Sequence, residues 1–195
     1  MSGFNVIKEP KVTLVEYTPD PEKLINKAAS ICYLSDENKN LIPLLLKNGH
    51  LSPLEHANFT FLIEGMSRNA SHQLVRHRVA SYTQQSFRYT KVEDVFLPAS
   101  IGEDKEVLDF IEKAFTLYQK KLSEGVRKED ARYLLPSASA SSIYVTMNAR
   151  ELRHFFDLRT TEYAQKEIRD IALKMLELVK PIAPSIFNSG KDALP

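Results

Sequence analysis

The sequence predicts an α+β fold: a central, mainly antiparallel sheet with flanking helices, in a single domain spanning residues 1–195. Three observations predict it. Ala57 to Ile63 alternates apolar and polar residues, the period of a half-buried strand. Asp104 to Glu124 carries apolar residues at helical spacing over five turns. Strand-like segments are few and widely separated, with helical segments between them, which suits one sheet with helices packed against it.

Taken in order, Val12 to Thr18 is rich in β-branched residues and reads as a strand, broken by Pro19-Asp20-Pro21. Glu22 to Tyr33 reads as a helix with Leu24, Ala28 and Ile31 or Cys32 on its apolar stripe. Ser35 can cap a second helix carrying Leu41, Leu44 and Leu45 and stopping at Gly49. In the alternating strand, Ala57, Phe59, Phe61 and Ile63 share one face. Ser67 then caps a helix of about three turns ending near Arg78, and Ser81 to Thr90 returns to an extended pattern. The long helix places Val107, Ile111, Ala114, Tyr118 and Leu122 on its stripe and ends at Gly125. A short helix from Arg127 to Leu135 ends before Pro136. Ser139 to Met147 is a strand with Ser141, Ile143, Val145 and Met147 on one side. Asn148 caps a helix to Leu158, with Glu151 at the capping-box position. Thr161 to Lys180 forms the last long helix, stopped by Pro181 and Pro184, and the tail after about residue 188 is expected to be loose.

Composition narrows the function. The chain has 195 residues, 43% hydrophobic and 26% charged, as in ordinary globular proteins. Its formal net charge of +1 argues against a general nucleic-acid binder, which carries a broad basic face. Cys32 is the single cysteine, so no intrachain disulfide forms. The N-terminal stretch lacks the apolar run of a signal peptide, and no segment approaches the ~20 apolar residues of a membrane span. A cytoplasmic location is expected, with no membrane partner.

Charge is nonetheless concentrated. From Gly65 to Val92 there is no acidic residue, while Arg68, Arg76, Arg78, Arg88 and Lys91 sum to +5. On a helix, Gln73, Arg76 and His77 would share a face. On a following strand, Gln84, Ser86 and Arg88 would share another, with Gln85, Phe87 and Tyr89 opposite. Guanidinium groups offer paired donors in a fixed plane, which suits phosphate, and two or three such bonds could hold a nucleotide monophosphate. The competing reading is a solvated basic helix end, favoured by the helix dipole. A second basic set, Arg132, Arg150, Arg153, His154 and Arg159, lies near Glu151, Asp157 and Glu162, which could pair with it. A third feature is the loop Gly49 to His56 leading into the alternating strand.

Other chemistries lack their marks. The six glycines form no phosphate-binding fingerprint. The five histidines show no metal-ligand spacing, and no metal site is expected. Cys32, on an apolar stripe, is expected to be packed. Ser86 has no evident general base beside it. An RNA- or DNA-binding surface using Tyr82, Phe87 and Tyr89 is disfavoured, because the alternation puts Phe87 and Tyr89 opposite Ser86 and Arg88.

Arg76-His77-Arg78, seven residues and then Ser86 resemble the signature of the flavin-dependent thymidylate synthases. The likeness extends to Gly49-His50 with Ser52 and Glu55, to Gln73, to Ala131-Arg132, to Asn148-Ala149-Arg150, and to Leu158-Arg159 and Ala164-Gln165. It spans roughly Ser30 to Lys180. The resemblance implies reductive methylation of dUMP to dTMP, with 5,10-methylenetetrahydrofolate as one-carbon donor, tetrahydrofolate as product, FAD carrying the hydride and NADPH reducing the flavin. It implies an α+β homotetramer whose active sites draw on several subunits.

Carried over position by position, the family pattern implies that Gln73, Arg76, Ser86, Arg88 and Arg132 hold dUMP, with Gln84 and Gln85 lining the same site through the backbone. Ser52, Arg76, His77, Arg78, Gln84, Asn148, Arg150 and His154 would contact FAD, with His50 and Glu55 nearby. Arg159 would sit against the uracil and favour its ionised form, a catalytic role. Thr83-Gln84 stands where the family often has Asn-Glu. Gln84 keeps the hydrogen bonding of that position without its charge.

Overall fold

A computed structural model describes residues 4–33 and 40–188 of the chain. The chain divides into two compact units. One comprises residues 1–11, 63–76 and 83–143; the other comprises 12–62, 77–82 and 144–195. The strands are β1 (Asn5–Ile7), β2 (Lys11–Tyr17), β3 (Asn58–Ser67), β4 (Ala80–Gln84), β5 (Asp94–Phe96) and β6 (Ala140–Asn148). The helices are α1 (Pro21–Tyr33), α2 (Ile42–Lys47), α3 (Arg68–Leu74), α4 (Lys105–Ser123), α5 (Lys128–Ala131), α6 (Ala149–Arg159), α7 (Lys166–Val179) and α8 (Pro184–Phe187). Four strands form an antiparallel sheet in the order β2-β3-β6-β4, and the division between the units falls within all four. The architecture is the predicted α+β class.

In the first unit, β1 and β5 form a parallel pair, with Val6 opposite Val95. Neither strand is predicted: three residues are too few for a period to show. Beside them α4 packs its buried face, Ile111, Phe115 and Tyr118. Phe4, Phe87, Val92, Val95 and Leu97 join Ile111 and Phe115 in one cluster. Asp104 caps α4, its Oδ1 accepting from Glu106 N at 2.8 Å, and Gly125 ends it at φ +84°. Within β3, Gly65 has φ +76°, and a Cβ there would lie 2.9 Å from Ile7 Cδ1. Only glycine allows both the backbone angle and the approach of Ile7.

In the second unit, Phe59 and Phe61 of β3 and Val145 and Met147 of β6 are fully or almost fully buried, as the alternation predicts, and Phe155 of α6 is fully buried with them. Edge-to-face contacts link Phe59 to Phe187 at 5.6 Å and Phe156 to Phe187 at 5.8 Å. Asn148 caps α6 by accepting from Glu151 N at 2.9 Å.

Several expectations are corrected. On α1 the buried residues are Pro21, Ile25, Ala29 and Ser30, while Leu24 and Ile31 are exposed. Cys32 is exposed, not packed. Tertiary packing buries the face with Ile25, Ala29 and Ser30 instead of the more apolar stripe with Leu24, Ala28 and Ile31. The proposed Ser35 cap lies outside the described residues, as does the tail beyond residue 188. Helix α3 is seven residues long and ends at Leu74, so Arg76 and His77 lie beyond it and do not share a helix face with Gln73. His77 is held out of the helix by tertiary bonds, among them Tyr82 Oη donating to its carbonyl at 2.7 Å. Strand β4 ends at Gln84, and Ser86 and Arg88 do not continue its alternation. The Ser86 carbonyl accepts from both Tyr89 N and Thr90 N at 3.0 Å, turning the chain. Such local bonds compete with strand pairing, and Phe87 is drawn into the core. The segment from Arg127 to Leu135 is α5 followed by a 3-10 turn. The last long helix starts at Lys166, after a turn in which Ala164 N donates to Thr161 O at 3.1 Å. Pro184 does not end the helical structure; it starts α8.

Candidate functional site

The first unit holds a cavity of about 650 Å³ whose lining includes Gln84, Gln85, Ser86 and Arg132, four of the residues expected at dUMP. Each is placed by local bonds. Gln84 ends β4, and its Nε2 donates to Ser141 Oγ at 2.8 Å. Gln85 uses both ends of its amide, donating to Thr90 Oγ1 at 3.2 Å and accepting from Ser142 N at 3.2 Å. Its side chain therefore fixes the loop, and its backbone N–H donates to the Ser142 carbonyl at 2.8 Å. Arg132 Nε donates to the Glu129 carbonyl at 3.1 Å.

Sequence reasoning missed Arg68, His72 and Tyr133, which also line this cavity. Arg68 lies with its guanidinium 5.2 Å from the centroid of the Phe87 ring. Burial lowers its pKa, and the positive charge of Arg132 lowers it further. Two guanidiniums thus repel each other across a lining that contains no acidic residue. An anion would relieve that repulsion, and guanidinium donors suit a phosphate monoester. A signal for Arg68 was present: it is the first residue of α3, where the helix dipole disfavours a cation.

Gln73, Arg76 and Arg88 do not line this cavity. Gln73 is half-buried on α3 and Arg76 is exposed just past that helix. Arg88 Nε donates to Glu129 Oε2 at 2.6 Å, so the charge of the basic stretch is partly compensated from outside it.

The second unit holds a cavity of about 610 Å³ lined by Leu51, Val79 and a polar set that includes Glu55, Asn148, Arg150 and His154. These last four are among the residues expected at FAD. The start of α6 supplies Asn148 and Arg150, and Arg150 Nη1 donates to Glu55 Oε1 at 2.6 Å. Ser52 opens the 3-10 turn Ser52–His56 and is exposed, as are His50 and Arg78. Arg153, also in the lining, donates through Nη1 to the Ile186 carbonyl. The guanidinium of Arg150, the imidazole of His154 and the amide of Asn148 are donors for phosphate oxygens. Leu51 and Val79 offer apolar surface for a flat ring, while Glu55, Glu151 and Asp157 put three carboxylates in the same lining, so individual donors rather than net charge would hold a cofactor phosphate there.

His77 is almost fully buried, 5% exposed. Arg159 Nε donates to His77 Nε2 at 3.2 Å, and His77 Nδ1 lies 3.2 Å from Glu151 Oε1. His154 and Phe155 meet its ring edge-on, at centroid distances of 5.9 Å and 4.9 Å. Burial first, then the positive charge of Arg159 and of His154, lowers the His77 pKa to about 4. Burial raises that of Glu151, against the opposing pull of His154 and Arg150. The imidazole is therefore neutral, and its contact with Glu151 is a hydrogen bond rather than a salt bridge. Burial likewise raises the Tyr82 hydroxyl, with Glu151 adding to the effect. Among the described residues, no group of three or more His, Cys, Asp or Glu gathers as a metal site, and no helix is long and apolar enough to cross a membrane.

The family model described as thymidylate synthase complementing protein matches residues 13–185. The flavin-dependent thymidylate synthase of Geobacter sulfurreducens is 46% identical over 92% of this chain and 86% of its own length. That of Pyrococcus abyssi is 49% identical over 86% of this chain and 78% of its own. Among solved structures, the UMP/dUMP methylase PolB from Streptomyces cacaoi, bound with 5-Br dUMP, superposes with a TM-score of 0.85 at 26% identity, covering 95% of this chain and 96% of that one. With a family match from residue 13 to residue 185, and relatives this similar along most of both chains, the protein belongs to the flavin-dependent thymidylate synthase family.

Proposed function

We propose that this chain is a flavin-dependent thymidylate synthase. It catalyses reductive methylation of dUMP to dTMP, with 5,10-methylenetetrahydrofolate as one-carbon donor, tetrahydrofolate as product and NADPH as reductant. The observation that carries the reading is the acid-free cavity in which Arg68 and Arg132 face the same space, within a chain of this family. FAD, when bound, supplies the hydride chemistry that no side chain offers.

The protein's own residues bind, orient and polarise. In the first unit Arg132, with the backbone of Gln84 to Ser86, holds dUMP, and Arg76, Gln73 and Arg88 add to it. Ser86 takes part as a substrate-binding residue. In the second unit Asn148, Arg150 and His154 hold FAD, with His77, Arg78, Ser52, His50 and Glu55 around them. Arg159 acts on the uracil: a fixed cation stabilises the ionised ring and makes its carbon more nucleophilic. In this reading the enzyme is a cytoplasmic homotetramer, and each active site draws its residues from several subunits.

The test is direct. Purified protein incubated with FAD is expected to turn yellow. With all cosubstrates present, it is expected to release tritium from C5-labelled dUMP. A preparation that stays colourless with FAD and releases no tritium would overturn the reading. Flavin bound without tritium release would point instead to a nucleotide-binding protein without turnover.

A further inference from the structure

His77 stands between a carboxylate and a guanidinium, and the two contacts impose one tautomer. The Nε–H of Arg159 can only donate, so His77 Nε2, at 3.2 Å, must present its lone pair. In a neutral imidazole the proton then sits on Nδ1, which faces Glu151 Oε1 at 3.2 Å. With the opposite tautomer, an Nε2–H would face the Arg159 Nε–H and an Nδ1 lone pair would face the carboxylate. Both contacts would become repulsive. The group across from one ring nitrogen thus decides what the other can do.

Glu151 is unusually placed for this. It is the third residue of α6, and its backbone N–H is taken by the Asn148 cap. A glutamate at that position commonly turns its side chain back toward the cap residue's own N–H. Here Oε1 meets the imidazole instead. The residue is only 8% exposed. Keeping a carboxylate buried costs free energy that the start of a helix and a hydrogen bond to a donor partly offset.

From this juxtaposition we propose that Glu151 is a positioning residue for Arg159. By fixing the Nδ1–H tautomer of His77, it keeps Nε2 as the acceptor that orients the Arg159 guanidinium. His154 and Phe155, edge-on to the imidazole, and Tyr82, bonded to the His77 carbonyl, hold the ring in place but do not choose its tautomer. The proposal rests on the assignment of Arg159 to the substrate, but its primary readout does not.

That readout is the pair of ¹⁵N shifts of His77 in flavin-loaded, ¹⁵N-labelled protein, assigned by comparison with His77→Gln. The parent is expected to show a neutral ring with the proton on Nδ1. Glu151→Gln keeps an acceptor carbonyl and is expected to retain both the tautomer and most of the turnover. Glu151→Leu removes the acceptor at similar volume. It is expected to lose the single tautomer and to lower kcat on the order of tenfold or more, the effect of one hydrogen bond to a charged group, with a much smaller change in KM for dUMP. A parent ring protonated on Nε2 would overturn the proposal. So would a Glu151→Leu protein that keeps the Nδ1–H form, or a Glu151→Gln protein that loses turnover while its tautomer is intact. If Arg159→Lys left turnover unchanged, the role of Arg159 would fall, whereas the tautomer result would stand.

Discussion

Arg88 Nε donates to Glu129 Oε2 at 2.6 Å, and the Arg88 guanidinium also lies 5.4 Å from the centroid of its neighbour Tyr89. Glu129 is shared, since Arg127 reaches its other oxygen. An arginine expected to hold the substrate phosphate is thus engaged by a carboxylate that the phosphate must displace or share.

Glu129→Gln is therefore expected to tighten dUMP binding. The Arg88 side chain is half exposed, so the competing pair is weak; exposed ion pairs are worth about 0.2–1 kcal/mol, which corresponds to at most about a fivefold fall in Kd. Titration calorimetry of the flavin-loaded protein with dUMP measures it. Weaker binding after this substitution would mean that Glu129 supports the site rather than competing for Arg88.

Arg68 makes a sharper case. It lines the cavity beside Arg132, and no carboxylate in that lining compensates the two charges. Losing a charge-assisted bond costs about 1.5–3 kcal/mol, so Arg68→Ala is expected to weaken dUMP binding roughly 10- to 150-fold. Deoxyuridine, which has no phosphate, should bind the parent and the variant almost equally. Comparing the two ligands on both proteins separates loss of the anion contact from damage to the cavity. An equal loss for both ligands would assign Arg68 to packing against Phe87.

Much of this was legible in the chain. The alternation of Phe59, Phe61 and Ile63, and that of Ile143, Val145 and Met147, announced the two strands that carry the sheet's buried face. Asn148 and Asp104 announced the starts of α6 and α4. Local chemistry writes such features, and local chemistry can be read. The basic stretch was legible as charge but not as geometry. Ser86 turns the chain through its own carbonyl, and His77 is fixed by partners far along the sequence. The Gln73, Arg76 and His77 face therefore does not exist, although Arg76 and His77 stand in the signature-like stretch and Gln73 three residues before it. Glu129 as the partner of Arg88, and Glu151 as the partner of His77, follow from tertiary contacts that no spacing rule contains.

The buried His77 predicts an acid limb in stability. Unfolded, this group takes up a proton as pH falls through about 6.5; folded, it does so only near pH 4. Between those values the unfolded chain binds more protons, so stability is present above pH 6.5 and is lost as pH falls toward 4. The slope is up to about 1.4 kcal/mol per pH unit for one proton. Glu151 acts with the opposite sign: its pKa is raised in the fold, so its contribution grows as pH falls through that folded value. The His77 term is read as a difference. His77→Gln is expected to be less stable than the parent at pH 7, with the gap narrowing by pH 5 in urea titrations. A gap that is constant with pH would show that folding leaves the His77 pKa unshifted, and a gap that widens toward pH 5 would show that the ring is protonated in the fold.

Arg159→Lys tests the site at its most demanding point. Lysine keeps the positive charge but has no Nε–H to donate to His77 Nε2 and no planar fork to lay against a ring. Without the contact now at 3.2 Å, the ammonium is no longer oriented by the imidazole, and its position is set by a flexible stem. A charge near the uracil still favours binding of a ring that ionises. A charge in the wrong place stabilises the developing anion poorly, and the loss falls on the chemical step. The expected pattern is a kcat lowered on the order of tenfold or more while KM for dUMP changes little, as for an interaction made in the transition state. Tritium release from C5-labelled dUMP at saturating cosubstrates measures kcat, and its dependence on dUMP concentration gives KM. A raised KM with unchanged kcat would make Arg159 a binding residue only, and unchanged values of both would remove it from the site.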